Sequence, residues 1–82
     1  MAPDTPTLTV YCRPWCPDCR RALAWLDEHD IAYVEVDVDA DPDARNRAAS
    51  HNLGALHTPT FELGDDVCID FRPERLKELL GL

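Results

Sequence analysis

The motif Cys16-Pro17-Asp18-Cys19 falls where a β-branched and aromatic run gives way to an amphipathic segment, and that junction constrains the fold more than any other feature of the chain. Thr7 to Cys12 is good strand material. Pro14 and Pro17 bracket a turn, and Pro17 suits the first position of a helix. From Asp18 to His29, Cys19, Ala22, Leu23 and Leu26 recur at three- and four-residue spacing, which predicts a helix with one buried stripe. Two cysteines three apart across a first helical turn can close a disulfide without distorting the helix. The first of them meets unpaired backbone N–H groups and the positive end of the helix dipole, and both effects favour a thiolate. Arg13, Arg20 and Arg21 add positive charge nearby, whereas Asp18 acts against the thiolate at close range.

Downstream, Val34, Val36 and Val38 alternate with Glu35, Asp37 and Asp39, the period of a half-exposed strand whose acidic outer face discourages edge pairing. Asp41-Pro42-Asp43 opens a second helix with Asp as N-cap, and Gly54 is its natural stop. Thr60 to Leu63 and Val67 to Phe71 read as strands joined by Gly64-Asp65-Asp66 in a hairpin, and Pro73 to Leu80 as a helix with Leu76, Leu79 and Leu80 inward. The order β-α-β-α-β-β-α predicts an α/β fold, a four-stranded mixed sheet flanked by three helices. Its first βαβ unit is parallel with a right-handed crossover, and its last hairpin is antiparallel. One domain spans residues 1–82, with residues 1–6 expected to be a flexible lead-in.

A chain of 82 residues buries only about 60% of the surface its unfolded form exposes, which excludes a separate cofactor domain or an enzyme barrel. Sixteen Asp and Glu against eight Lys and Arg give a net charge of −8, the wrong sign for binding nucleic acid through its phosphates. The N-terminus lacks a basic and apolar leader, and no apolar run reaches the roughly 20 residues a membrane span needs. A monomer in a reducing cytoplasm is expected, where cysteines serve chemistry or metals more often than staples.

C-x-x-C beside a βαβ pattern is a signature of thiol–disulfide exchange. The alternatives are a static pair of buried thiols or part of a zinc site. With Cys12 the run becomes C-x3-C-x2-C, the cluster-binding spacing of radical S-adenosylmethionine enzymes, which the chain is too short to be. A zinc or iron–sulfur module built on Cys12, Cys16, Cys19 and Cys68 is the rival of another class. Cys12 and Cys68 are otherwise expected in the core. His29 and His51 read as helix-end residues. His57-Thr58-Pro59-Thr60 leads into the third strand, where spacing alone favours an ordinary trans proline. Trp15 is an exposed contact residue or local packing, and Glu35, Asp37, Asp39, Asp41 and Asp43 read as a solvated face.

The stretch Val10-Tyr11-Cys12-Arg13-Pro14-Trp15-Cys16-Pro17-Asp18-Cys19 resembles the active-site segment of glutaredoxins, as does Val36-Asp37-Val38-Asp39 followed by a helix. The resemblance implies a thioredoxin fold, a nucleophilic Cys16, a resolving Cys19 and a cis-Pro59 facing them. It also implies that the backbone of Thr58 pairs with the bound thiol substrate and that Arg13 contacts the substrate's carboxylate. Instead of the glycine pair that holds glutathione in ordinary glutaredoxins, this chain carries Asp70-Phe71-Arg72-Pro73-Glu74. Phe71-Arg72-Pro73-Glu74 is similar to the F-R-P-D of NrdH-type redoxins, which take electrons from thioredoxin reductase and feed a ribonucleotide reductase. The chain departs from that pattern in Cys68-Ile69-Asp70, where Trp-Ser-Gly is usual, and in C-P-D-C for C-V-Q-C. The resemblance implies a patch of Trp15, Phe71 and Arg72 beside Cys16 for a protein partner, with no metal or organic cofactor. A low-molecular-weight thiol, glutathione or mycothiol, is the alternative donor.

Overall fold

Alternation along Leu8-Thr9-Val10-Tyr11-Cys12 sends successive side chains to opposite faces of a sheet. In the computed structural model, which describes residues 7–82, this segment is strand β1 (Leu8–Cys12), with Leu8, Val10 and Cys12 buried on one face and Tyr11 on the other. The chain continues through α1 (Pro17–Glu28), β2 (Tyr33–Asp37), α2 (Pro42–Ser50), β3 (Thr60–Leu63), β4 (Asp66–Ile69) and α3 (Pro73–Leu80). The sheet order is β2-β1-β3-β4. β1 runs parallel to β2 and antiparallel to β3, and β3 pairs antiparallel with β4, so the expected mixed four-stranded sheet and three helices are present. The lead-in expected over residues 1–6 lies outside the described residues. Among the described residues, no helix is long and apolar enough to cross a membrane.

One face of the sheet carries α1 and α3, packed through Ala22, Leu26 and Leu76 onto Leu8, Val10, Phe61 and Cys68. The other carries α2, which meets the sheet through Ala48 against Tyr11 and Val38. Local chemistry explains the helix starts: Pro17, Pro42 and Pro73 each stand at the first turn, and the Asp41 side chain accepts from Ala44 N–H at 3.1 Å. Gly81, at φ 74°, ends α3 in the left-handed conformation that glycine adopts without strain.

Two element ends and one burial pattern depart most from the sequence expectation. Helix α2 ends at Ser50 with His51 as its cap, before Gly54, because a turn closes with Gly54 N–H on the Ala49 carbonyl at 2.9 Å. Strand β4 ends at Ile69, not Phe71, because Asp70 turns left-handed at φ 67° and donates its N–H to the Pro59 carbonyl at 2.9 Å. The valines of β2 and the residue after it do not form one buried stripe: Val38, just past the strand, is buried and Val36 partly covered, whereas Val34 is half exposed.

Candidate active site

The turn before α1 places Cys16 as that helix's N-cap, with extended backbone and its N–H donated to the Arg13 carbonyl at 3.1 Å. Its Sγ accepts the Cys19 N–H at 3.3 Å, the position a serine or aspartate oxygen takes in an ordinary cap. Opposite stands the cis Thr58–Pro59 peptide. Thr58 Oγ1 donates to Cys16 Sγ at 3.5 Å, and the Thr58 carbonyl lies 3.6 Å from the same sulfur. The sulfur thus has a partner in either state: the thiol donates to the carbonyl, and the thiolate accepts from the hydroxyl and the helix N–H. The loop carrying Thr58 is tied down by Thr60 Oγ1 donating to the His57 carbonyl at 2.7 Å and by the Asp70–Pro59 backbone bond.

The four cysteines are free thiols at graded depth: Cys16 is 6% exposed, Cys19 2%, and Cys12 and Cys68 1% each. Cys12 and Cys19 act on each other's protons. A hydrogen bond from the Cys12 thiol, against the opposing effect of burial, holds Cys19 down at about 6. The same bond, with burial, drives the Cys12 thiol upward, so Cys12 is the member that keeps its proton. Burial also pushes Cys68 up, and its Sγ–H donates to the Asp70 carbonyl at 3.6 Å. Among the described residues no group of three or more His, Cys, Asp or Glu side chains is placed to hold a metal ion.

Around the rim, Arg13, Arg21 and His57 are matched with acids, and Arg20 is not. Arg13 Nε lies 3.3 Å from Asp39 Oδ1, a buried nitrogen in an ion pair without an aligned hydrogen bond, and its guanidinium sits 5.3 Å from the Trp15 ring centre. Trp15, 65% exposed, donates its indole N–H to Asp39 Oδ2 at 3.2 Å. Arg21 pairs with Asp18, the acid expected to oppose the thiolate. His57 Nδ1 lies 3.2 Å from both oxygens of Asp70. Arg20 reaches the Pro14 carbonyl at 3.0 Å.

Of the residues singled out in the sequence, Cys16, Cys19, Thr58 and Pro59 come together, and Arg13 and Trp15 adjoin them through the turn. Phe71 packs half-buried on the α1–α3 face, against the cluster that holds the cysteines and with its ring 6.2 Å from that of Trp25 and edge-on, and Arg72 is exposed as the N-cap of α3. Sequence reasoning misses Asp39. Alternation along β2 groups Asp39 with a solvated face, but it lies two residues past the end of that strand, where alternation no longer governs it.

The glutaredoxin family model matches residues 8–68. The glutaredoxin-like protein NrdH of Lactococcus lactis subsp. cremoris is 31% identical over 72 residues, which cover 88% of this chain and 97% of that one. Among solved structures, the thioredoxin-like protein BC3987 superposes with a TM-score of 0.78 at 34% identity, covering 89% of this chain and 99% of the other. The NrdH-redoxin of Escherichia coli, described as having a thioredoxin-like activity profile, superposes with a TM-score of 0.75 at 25% identity over 89% of this chain and 93% of its own.

Proposed function

The chain belongs to the glutaredoxin family, as a glutaredoxin-like thiol–disulfide oxidoreductase of the NrdH type, and we propose that it carries electron pairs from thioredoxin reductase to a protein disulfide such as that of a ribonucleotide reductase. The observation that carries the chemistry is the Cys16 sulfur at the start of α1, bonded by Cys19 N–H and Thr58 Oγ1, with Cys19 directly behind it. The Cys16 thiolate attacks one sulfur of the substrate disulfide. A Cys16–substrate bond forms, the substrate S–S bond breaks, and one substrate thiolate leaves. Cys19, whose ionised form the neighbouring Cys12 thiol favours, then attacks Cys16 Sγ as thiolate. The Cys16–Cys19 bond forms, the second substrate thiolate leaves, and two electrons have passed to the substrate. The Thr58 carbonyl and hydroxyl offer a polar edge on which the substrate's backbone can align beside the reacting sulfur.

Donor choice follows from the rim. Glutathione carries two carboxylates, and Asp70 is an acid where glycines would leave open space. Reductase and acceptor are proteins, for which exposed Trp15 and Arg72 are anchors of a type enriched at interfaces.

Cys16→Ser abolishes disulfide reduction on this assignment, whereas Cys19→Ser keeps the attack and traps a mixed disulfide visible by mass spectrometry. Dithiol turnover by Cys16→Ser would mean that the attacking sulfur is another one. NADPH with thioredoxin reductase should reduce the oxidised protein efficiently and glutathione only slowly. A faster reaction with glutathione replaces this reading with an ordinary glutaredoxin role, and failure of both donors while dithiothreitol still reacts favours another small thiol such as mycothiol.

A further inference from the structure

We propose that Asp39 sets the thiol selectivity of this site by occupying Arg13, so that a small thiol bearing a carboxylate finds the cation of the Cys16 turn already taken. The inference rests on the reading of Cys16 as the attacking sulfur.

Arg13 belongs to the turn that carries Cys16, since its carbonyl accepts the Cys16 N–H at 3.1 Å. A cation fixed there is the natural counter-charge for an anionic thiol approaching the sulfur. Its guanidinium is already engaged, by Asp39 Oδ1 at 3.3 Å and by the Trp15 ring at 5.3 Å, and its side chain is only 20% exposed. Asp39 is anchored in turn. Its Oδ2 accepts the Trp15 indole N–H at 3.2 Å, and its backbone N–H is held by Asp37 Oδ1 at 2.9 Å. Arg13, Trp15 and Asp39 thus close a three-membered ring of contacts in which each touches the other two.

An incoming carboxylate would have to displace Asp39, giving up the ion pair and the indole bond together. Of the other basic side chains nearby, Arg21 faces Asp18 and His57 faces Asp70, while Arg20 is turned onto the Pro14 carbonyl at 3.0 Å. A protein partner has no such requirement. It can lay its backbone against Thr58 and its side chains on Trp15 while leaving the Arg13–Asp39 pair intact.

The experiment measures glutathione as reductant of the oxidised protein, in parallel with glutathione diethyl ester, whose carboxylates are masked. Each variant's rate with dithiothreitol serves as its own reference. Asp39→Asn should lower the KM for glutathione about fivefold, the size of an exposed ion-pair effect, with kcat little moved and the ester's KM unaltered. Asp39→Glu should keep the parental KM, and Arg13→Gln added to Asp39→Asn should cancel the gain. Arg13→Gln alone should leave the glutathione KM within about twofold, since an occupied cation contributes little. An unchanged KM in Asp39→Asn, an equal gain with the ester, or a severalfold rise in Arg13→Gln alone each overturns the proposal. Should Asp39→Asn fail to fold, Arg13→Gln decides it. An unaltered protein reduced faster by glutathione than by the reductase would remove the donor reading while Asp39's effect on KM stayed measurable. An unchanged KM in Asp39→Asn removes the role of Asp39 alone.

Discussion

The two faces of the sheet are held by different physics. On the α1–α3 side, Leu8, Val10, Leu26, Phe61 and Leu76 form an apolar layer into which all four cysteines are set. On the α2 side the buried apolar set shrinks to Tyr11, Val38 and Ala48, and a half-buried carboxylate does much of the joining. Glu62 accepts the Tyr11 hydroxyl at 3.1 Å and faces Arg47 Nε at 2.9 Å and His51 Nε2 at 2.6 Å, linking β1, β3 and the end of α2. Sulfur chemistry needs fixed distances between groups that must not drift, and close packing supplies that rigidity. The opposite face needs only to keep water from the sheet, and directional bonds around one carboxylate suffice.

Breaking the packed side should cost most. Phe61→Ala, at a fully buried position, should lose about 3–5 kcal/mol. That approaches the whole stability of a domain this size, roughly 4–12 kcal/mol, so equilibrium denaturation should find the variant barely folded. A midpoint close to that of the parent would show that the face can collapse around the gap.

Glu62→Gln tests the polar clasp and should cost about 1–3 kcal/mol, because Arg47, His51 and Tyr11 lose a charged partner. Burial acts to raise the Glu62 pKa, but the bonds from Arg47, His51 and Tyr11 prevail and hold it below its ordinary value of 4.5. A carboxylate whose folded pKa is depressed contributes stability that is present above its unfolded pKa and disappears as pH falls through the folded one. Denaturant midpoints measured below about pH 4.5 should therefore fall more steeply in the parent than in Glu62→Gln. Parallel slopes would refute the clasp.

Within the packed side, Cys12→Ala separates structure from chemistry. It should lower stability by about 1–2 kcal/mol through lost packing. It should also raise the Cys19 pKa above about 6, since Cys12 donates the hydrogen bond that holds it there. Ultraviolet titration of the thiolate reads this directly, and an unmoved curve would assign the stabilisation to other groups. The smallest effect belongs to the α2 side: Val34→Thr, at a half-exposed valine, should stay within about 0.5 kcal/mol in the same denaturation assay.

Features whose cause is local are legible in the amino-acid sequence itself. Pro17 and Pro42 at helix starts, Asp41 as a cap and the turn at Gly64-Asp65 depend on backbone chemistry that neighbouring residues determine. The cis form at Thr58–Pro59 is accessible only through family resemblance, because spacing favours the trans form. What escapes such reading depends on what the chain meets in space. Asp70 ends β4 because its N–H finds the Pro59 carbonyl, Val34 stays half exposed on the edge strand β2, and Phe71 finds Trp25 across the fold. Asp39 is the clearest case: in sequence it is one acid among five, and in the fold it touches both Arg13 and Trp15.

The grading of the sulfurs from 6% exposed at Cys16 to 2% at Cys19 has a kinetic corollary on the proposed assignment. With the second thiol behind the first, the protein has a single doorway through which electrons arrive and depart. Donor and acceptor must dock in turn over the same sulfur, never side by side. Such alternation works as a turnstile: double-reciprocal plots at several acceptor concentrations should run parallel, and a large excess of either partner should slow delivery to the other by holding the entrance.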